Sequence, residues 1–309
     1  MKILFFNDYR LGILKQDRVV DVTDVVADIP HARPQDLMVG LIEQFETYRP
    51  QIEKAVLERP GLPLDAIRIR PPLPKPGKIL CMAVNYMEDG TRASAAPIDA
   101  FYKPATSVIG DGDTMVLPDI PATIFEGEAE LALVIGKRAT HVAAADAMSY
   151  VFGYVNFIDG SARGVGSDKN MFFGIKSRDT FAPLGPYIVT ADEIEDPHRL
   201  QVRLWSNGKL MQDFNTDDMA HKIPRCIEWV SAIQTLEPGD IVATGTNHRG
   251  LNPFQDGDRI ELEVEGLGRL HVNVQDDLKR TWARETRLQR QNLELEGATT
   301  PQLTGKYAE

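Results

Sequence analysis

The sequence predicts an α+β protein rich in strands. Short β-branched and aromatic runs recur between residues 78 and 274, and many end in sharp turns such as Asn207-Gly208, Pro238-Gly239-Asp240, Asp256-Gly257-Asp258 and Glu265-Gly266. Helical spacing is confined to a few segments, chiefly near the N-terminus and at Pro224 to Leu236. Strands and helices do not alternate regularly, which argues against a doubly wound parallel sheet. No internal repeat or low-complexity tract is present.

Residues 1–70 read as a small unit with both element types. Lys2 to Phe6 and Arg18 to Thr23 are strands, and Asp36 to Ala55 has apolar residues at helical spacing (Leu37, Leu41, Ile42, Phe45) with a break expected at Pro50. Residues 71–77, Pro-Pro-Leu-Pro-Lys-Pro-Gly, cannot lie inside an element and mark a boundary. The main unit, 71–278, opens with a strand from Lys78 to Val84. Asn85 to Ile98 follows as a loop or short lid helix. Further strands are expected around Val108 to Leu117, Glu128 to Ile135, Tyr150 to Ile158, Tyr187 to Thr190, Leu200 to Ser206, Asp240 to Ala243, Arg259 to Val264 and Arg269 to Val274, with a short helix opening at Ala143. The tail, 279–309, is charged and polar and reads as a helix fraying into a disordered end.

The bulk properties narrow the function. A chain of 309 residues with 43% hydrophobic and 26% charged residues can bury a core. The net charge of −11 and the absence of a Lys/Arg run argue against nucleic acid as a partner, while still allowing a locally positive pocket for a small anion. Cys81 and Cys226 form neither a C-x-x-C motif nor a disulfide framework, so they read as buried thiols of a cytoplasmic protein. No signal peptide or apolar run of membrane-spanning length is seen, so no membrane association is expected.

The segment Phe125-Glu-Gly-Glu-Ala-Glu-Leu-Ala-Leu-Val-Ile-Gly carries the chemistry. On a strand, residues i and i+2 share a face with Cα atoms roughly 6.5–7 Å apart, so Glu128 and Glu130 project together. Two adjacent carboxylates repel unless a cation neutralises them, and oxygen-only ligation suits Mg²⁺, Mn²⁺ or Ca²⁺. For these two residues alone, a solvated strand face is the alternative. Asp159, at the end of the apolar run Asn156-Phe-Ile-Asp, offers a third carboxylate. Its alternative role is an Asx-turn, with Arg163 as a surface charge.

Taken together, several ordered blocks resemble the fumarylacetoacetate hydrolase family. They are Lys-Ile-Leu-Cys-Met-Ala-Val-Asn-Tyr (78–86), Tyr-Lys-Pro-Ala-Thr-Ser-Val-Ile-Gly (102–110), Glu-Ala-Glu-Leu-Ala-Leu-Val-Ile-Gly-Lys (128–137), Gly-Tyr-Val-Asn-Phe-Ile-Asp-Gly-Ser-Ala-Arg (153–163), Lys-Ser-Arg-Asp-Thr-Phe-Ala-Pro-Leu-Gly-Pro (176–186) and Leu-Glu-Pro-Gly-Asp-Ile-Val-Ala-Thr-Gly-Thr (236–246). The resemblance implies a core domain of mixed β-sheet or β-roll type with a small N-terminal α/β domain. It also implies a Mg²⁺-type ion on Glu128, Glu130 and Asp159, and a homodimer. Lys176 matches the family's pocket lysine near the metal and the substrate enolate, and Arg163 an arginine supporting the site. Gly245 and Thr246 match a turn that holds the substrate carboxylate through main-chain N–H and hydroxyl. Tyr86, in the lid motif, is a further substrate contact.

The chain also departs from the pattern. Hydrolytic members of the family commonly carry Asn-Tyr-x-x-His-x-x-Glu on the lid, the His and Glu acting as a general-base pair. Here Asn85-Tyr-Met-Glu-Asp-Gly-Thr-Arg92 puts Asp89 in place of His and Arg92 in place of Glu. An aspartate is a weak base near neutral pH unless burial raises its pKa. After the Gly-Thr turn comes Asn247-His248-Arg249-Gly250, and His248 is a candidate to replace the lid histidine, a surface-loop role being the alternative. Arg92 and Arg249 add positive charge near the expected mouth, suited to a dianionic substrate. Gly164 and Gly166 suggest an open loop over the metal. No G-x-S-x-G, H-E-x-x-H or complete dinucleotide fingerprint is present. The expected activity is metal-dependent C–C hydrolysis of a small 2,4-dioxo acid. The alternatives are a decarboxylase, tautomerase or isomerase on the same metal site, and a metal-binding member without activity.

Overall fold

A computed structural model describes residues 1–165 and 171–308, and its centre is a pair of long antiparallel strands, Ile124–Ile135 and Val151–Arg163. Every residue of Ile124–Ile135 is buried, as expected of a central strand covered on both faces. Asp159 lies inside the second strand, not at its end as the sequence suggested, because that strand continues four residues further to Arg163. An Asx-turn at Asp159 is thereby ruled out.

These two strands belong to a mixed twelve-stranded sheet. On one side they neighbour Ala182–Thr190, then Lys2–Phe6, Arg10–Lys15, Arg18–Asp21 and Leu62–Pro63. On the other side come Ile241–Ala243, parallel to Ile79–Met82, and then Ala100–Lys103. The N-terminal strands therefore continue the main sheet, with Ile3 opposite Ile188. A second sheet of five strands comprises Lys209–Asn215, Gln201–Ser206, Arg259–Val264, Arg269–Gln275 and Thr114–Val116. Alternate residues of Gln201–Ser206 and Arg269–Gln275 are buried, so one face packs on the core and the other meets solvent. The result is α+β and β-rich, as the strand pattern predicts.

Asn156 ties the two sheets together. From the strand Val151–Arg163 it accepts the Val264 N–H at 2.7 Å and donates to the Gly185, Leu267 and Gly268 carbonyls at 3.1, 3.3 and 3.1 Å.

Several boundaries differ from expectation. The helical stretch near the N-terminus breaks at Gln44, between Pro34–Glu43 and Phe45–Glu58, and Pro50 lies inside the second helix. Pro50 is tolerated because it and Glu46, whose carbonyl it cannot bond, face water. Residues 85–98 form a loop with turns and no helix. The tail is ordered over its described residues, contrary to the disordered end read from its polarity. Arg280, fully buried, donates to both Asp276 oxygens at 2.9 Å and to the Pro118 and Ile120 carbonyls, while Trp282 Nε1 donates to the Thr123 carbonyl at 2.7 Å. The chain then forms the short helix Arg287–Asn292 and pairs Gln302–Thr304 with Thr281–Trp282. Charge did not mark this segment as mobile because its arginines have specific acceptors in the fold.

Cys81 and Cys226 are buried free thiols. Among the described residues no helix is long and apolar enough to cross a membrane. The loop reading at Gly166 falls outside the described residues.

Replacing Asn156 with Ala would leave the Val264 N–H and several buried carbonyls without partners. A loss of roughly 3–5 kcal/mol is expected, read as a lower urea midpoint. A midpoint close to that of the wild type would show that the two sheets do not depend on this side chain.

Candidate active site

The register of the central hairpin assembles the carboxylates. Glu128 stands directly opposite Asp159, and Glu130 follows two residues along on the same face. One oxygen from each of the three lies within 4.8 Å of the others, and all three residues are buried. The opposite face of the ladder is kept small. A Cβ on Gly127 would come within 2.3 Å of the Phe254 ring, and one on Gly160 within 2.9 Å of Phe181.

Basic groups surround the cluster. Lys176, ending the helix Met171–Lys176, donates to Glu128 Oε1 at 2.8 Å and Asp159 Oδ2 at 2.5 Å. Lys103, also buried, donates to Asp159 Oδ1 at 2.6 Å and to the Gly160 and Lys176 carbonyls at 3.0 and 2.5 Å, which uses all three ammonium protons. Arg163 bonds Glu128 and, through Nε at 3.0 Å, Glu126. Glu126 in turn accepts Arg287 Nη2 at 2.7 Å. Lys103, Glu126 and Arg287 escaped the sequence reading. Glu126 alone carried a signal, since it completes the i, i+2, i+4 series with Glu128 and Glu130 on one strand face.

The electrostatics differ from one carboxylate to the next. Burial opposes ionisation of Glu128, but Lys176, Arg163 and His248 overcome it and hold its carboxyl below the usual range. Glu130 is pushed well above that range by burial and by the neighbouring Asp159 and Glu128, relieved only in part by the Gly245 N–H at 2.6 Å. Burial works against the charge on Lys176, yet Asp159 and Glu128 raise its pKa. Three converging oxygen donors, one of them raised by its two anionic neighbours, form a set that a divalent cation fits: bound charge would ionise Glu130, and three carboxylates leave positions for water or substrate.

The rim differs from the sequence reading by one residue. Asp89 does not face the cluster. It is half exposed and bonds Asn247 Nδ2 at 3.1 Å and Arg249 Nη1 at 2.8 Å. Its neighbour Glu88 is buried instead and holds His248, with Oε1 2.6 Å from Nδ1 and Oε2 accepting the His248 N–H at 2.8 Å. Burial works against the charge on Glu88, but the bond to His248 brings its pKa below the usual value. The inward turn comes from consecutive left-handed backbones at Glu88 (φ 57), Asp89 (φ 55) and Gly90 (φ 76), fixed by the Met87 and Asp89 N–H groups on the Asp218 carbonyl and carboxylate. No spacing rule for helices or strands anticipates such a run.

Other assignments also change. Tyr86 lies in the core with its ring edge-on to Phe214 at 5.2 Å, and its hydroxyl is buried without a hydrogen-bond partner among the described residues. The Thr246 hydroxyl is committed to the Ala129 carbonyl at 2.8 Å and the Gln212 amide at 2.9 Å. The Gly245 N–H serves Glu130. Neither group is therefore free for a substrate carboxylate. Arg163 supports the carboxylates through Nε and Nη2, while no hydrogen bond engages its Nη1 among the described residues. Arg92 lines the cleft beside His248.

A sheet-borne three-carboxylate centre with a histidine–glutamate pair at its rim defines a site of the metal-binding class. Residues 78–275 match the model of the fumarylacetoacetate (FAA) hydrolase C-terminal domain, and the chain belongs to that family. It is 32% identical to a maleylpyruvate hydrolase of Aquipseudomonas alcaligenes, over 89% of this chain and 99% of the relative. It is 37% identical to a mitochondrial oxaloacetate tautomerase of Bos taurus, over 75% of this chain and 77% of the relative. Among solved structures it resembles maleylpyruvate hydrolase from Sphingobium sp. SYK-6 in complex with manganese(II) and pyruvate, with a TM-score of 0.81 and 38% identity over 89% of this chain and 99% of that one. That manganese ion supports a divalent metal as the family's cofactor.

Glu130→Gln keeps shape and removes one anionic donor. It is expected to weaken Mn²⁺ binding at least about 10- to 100-fold, followed through the paramagnetic resonance signal of free Mn²⁺. Unchanged affinity would take Glu130 out of the ligand set.

Proposed function

We propose that this protein is a metal-dependent hydrolase that cleaves a C–C bond of a small 2,4-dioxo acid of the acylpyruvate type, with Mg²⁺ or Mn²⁺ on Glu128, Glu130 and Asp159. The observation that carries this reading is the His248–Glu88 pair. A hydrolase needs a base for water, and the lid positions that first suggested its loss are compensated by a histidine from the far side of the site, oriented by Glu88, four residues before the position where the motif places its glutamate.

A divalent cation bound there supplies Lewis-acid polarisation of the 2-oxo acid oxygens. The chain's own residues do the rest. The Glu88 carboxylate favours the tautomer with the proton on Nδ1 of His248, leaving Nε2 to take a proton from water. The resulting hydroxide oxygen bonds to C4, the C3–C4 bond breaks, and its electron pair enters the three-carbon fragment as an enolate. Lys176, which the acidic cluster keeps protonated, stabilises charge on the enolate oxygen. Protonation of C3 then yields pyruvate and a carboxylic acid. Lys103 and Arg163 hold Asp159 and Glu128 in place.

A second reading, tautomerisation of a 2-oxo acid, draws support from the similarity to the bovine tautomerase. It uses the same base to move a proton between carbon and oxygen without water. Products separate the two: pyruvate from an acylpyruvate supports hydrolysis, whereas accelerated enol decay of oxaloacetate without cleavage supports tautomerisation.

His248→Asn and Glu88→Gln should each lower kcat about 10²- to 10⁴-fold with Mn²⁺ binding retained. Asp89→Asn, which alters an exposed pair, should change it less than about fivefold. The reverse order in steady-state assays would return the base to Asp89.

A further inference from the structure

His248 and Glu88 meet from two loops far apart in the chain, so their pairing has to be held by other residues. We infer that Asn247 is the positioning residue that builds the base: it fastens the turn carrying His248 to the lid turn carrying Glu88, and Gln212 ties both to the strand of Glu128 and Glu130. This inference rests on the proposed role of His248 as the base.

Asn247 is buried, and both polar atoms of its side chain are used. Its Oδ1 accepts the Arg249 N–H at 3.1 Å and so caps the short turn His248–Gly250. Its Nδ2 donates to Asp89 Oδ1 on the lid at 3.1 Å and to Asp218 Oδ2 at 3.2 Å. Asp218 is the residue that already holds the lid turn through the Met87 and Asp89 N–H groups. One amide thus bridges the lid turn, its anchor and the turn of the base. Only an amide in this orientation fits, because a carboxylate there would set oxygen against the oxygens of Asp89 and Asp218. Those groups are crowded already. Burial raises the pKa of Asp218, the Asp89 N–H and the Asn247 amide lower it, and the charges of Asp89 and Glu88 raise it again.

The other end of the connection lies on the central strand. The neighbouring strand Ile241–Ala243 pairs only with Ala132 to Val134, so it leaves that edge before the carboxylates are reached. Gln212, buried on a strand of the second sheet, takes its place. Its Oε1 accepts the N–H of Ala129, the residue between Glu128 and Glu130, at 3.1 Å. Its Nε2 donates to the Asn247 carbonyl at 2.8 Å and to the Thr246 hydroxyl at 2.9 Å, which uses both amide protons. The residue before the base is therefore one side chain away from the peptide between the two glutamates. Gln212 sets how far the base stands from the cluster, and Asn247 sets which partner it meets. The nearness shows in Glu128: burial opposes its ionisation, and His248 is close enough to join Lys176 and Arg163 in overcoming that.

The test uses the full chain and the isosteric change Asn247→Asp. It is read by kcat on an acylpyruvate, by Mn²⁺ affinity, and by the low-field proton resonance of the His248 Nδ1–H in the Mg²⁺-loaded protein, identified by its absence from His248→Asn. The change keeps an oxygen for the Arg249 N–H but turns the bridging donor into an anion facing Asp89 and Asp218. kcat should fall about 10- to 100-fold, the cost of a displacement of the order of 1 Å. KM and Mn²⁺ affinity should stay within about threefold. The low-field resonance should be lost to exchange with water. Adding Asp89→Asn returns a donor to the bridge and should recover at least about fivefold in kcat, together with the resonance. Gln212→Met, similar in length but without the amide, should lower kcat with the resonance kept, because it moves the base from the cluster without parting it from Glu88. Unchanged kcat there would overturn the role of Gln212. A wild-type kcat in Asn247→Asp, a loss of kcat with the resonance intact, a loss of Mn²⁺ binding alongside it, or no recovery on adding Asp89→Asn would each overturn the role of Asn247. Should the wild type release no pyruvate, the hydrolase reading falls, and the resonance alone, lost in Asn247→Asp and restored by Asp89→Asn, decides the positioning role.

Discussion

The site depends on one antiparallel register, Glu128 opposite Asp159, with Glu130 two residues along. A slip of one residue would turn all of these side chains to the other face and bring Gly127 and Ala129 to the site instead. The register is secured along twelve paired positions, and by Asn156, which fastens the same strand to the second sheet. The carboxylates are thus carried by the central hairpin, while the residues lining the neighbouring cleft come from loops and the tail around it.

Burying four carboxylates close together is tolerable only because cations are built in beside them. Lys176, Lys103, Arg163 and Arg287 answer Glu126, Glu128 and Asp159, and leave Glu130 as the member whose ionisation is most opposed. Removing a single basic partner would therefore strand a buried anion, a heavier loss than an exposed pair would suggest. The same arrangement explains why Lys176 contacts both Glu128 and Asp159: its charge is required by them before any substrate arrives.

Much of this was legible in the sequence, because strands announce themselves by period-two spacing and β-branched residues. Most of Ile124–Ile135, all of Arg259–Val264 and the shared face of Glu128 and Glu130 follow from that rule, whereas Asp159 joined them through the family resemblance. What the sequence hid lies where no period operates. Glu88 points inward through a run of left-handed backbone, so counting along the lid motif selected its neighbour Asp89. Tyr86 reads as a lid residue but is claimed by the core through Phe214. The tail looked mobile because it is charged, although each of Arg280, Arg287 and Arg290 has a specific acceptor in the fold. Pro50 looked like a break, yet lies on the solvent face of its helix, where an unbonded carbonyl is satisfied by water.

The paired glycines behind the carboxylates have an evolutionary consequence. With the Phe254 ring pressed against Gly127 and the Phe181 backbone against Gly160, no side chain can be added there without shifting a ring or a strand of the core. The floor of the site is thereby closed to gradual change, and variation is channelled to the loops and the tail. A lineage built on this floor diversifies by exchanging rims: it can move a base from one loop to another, or gain a new specificity from a terminal segment, while inheriting its metal-binding surface unaltered.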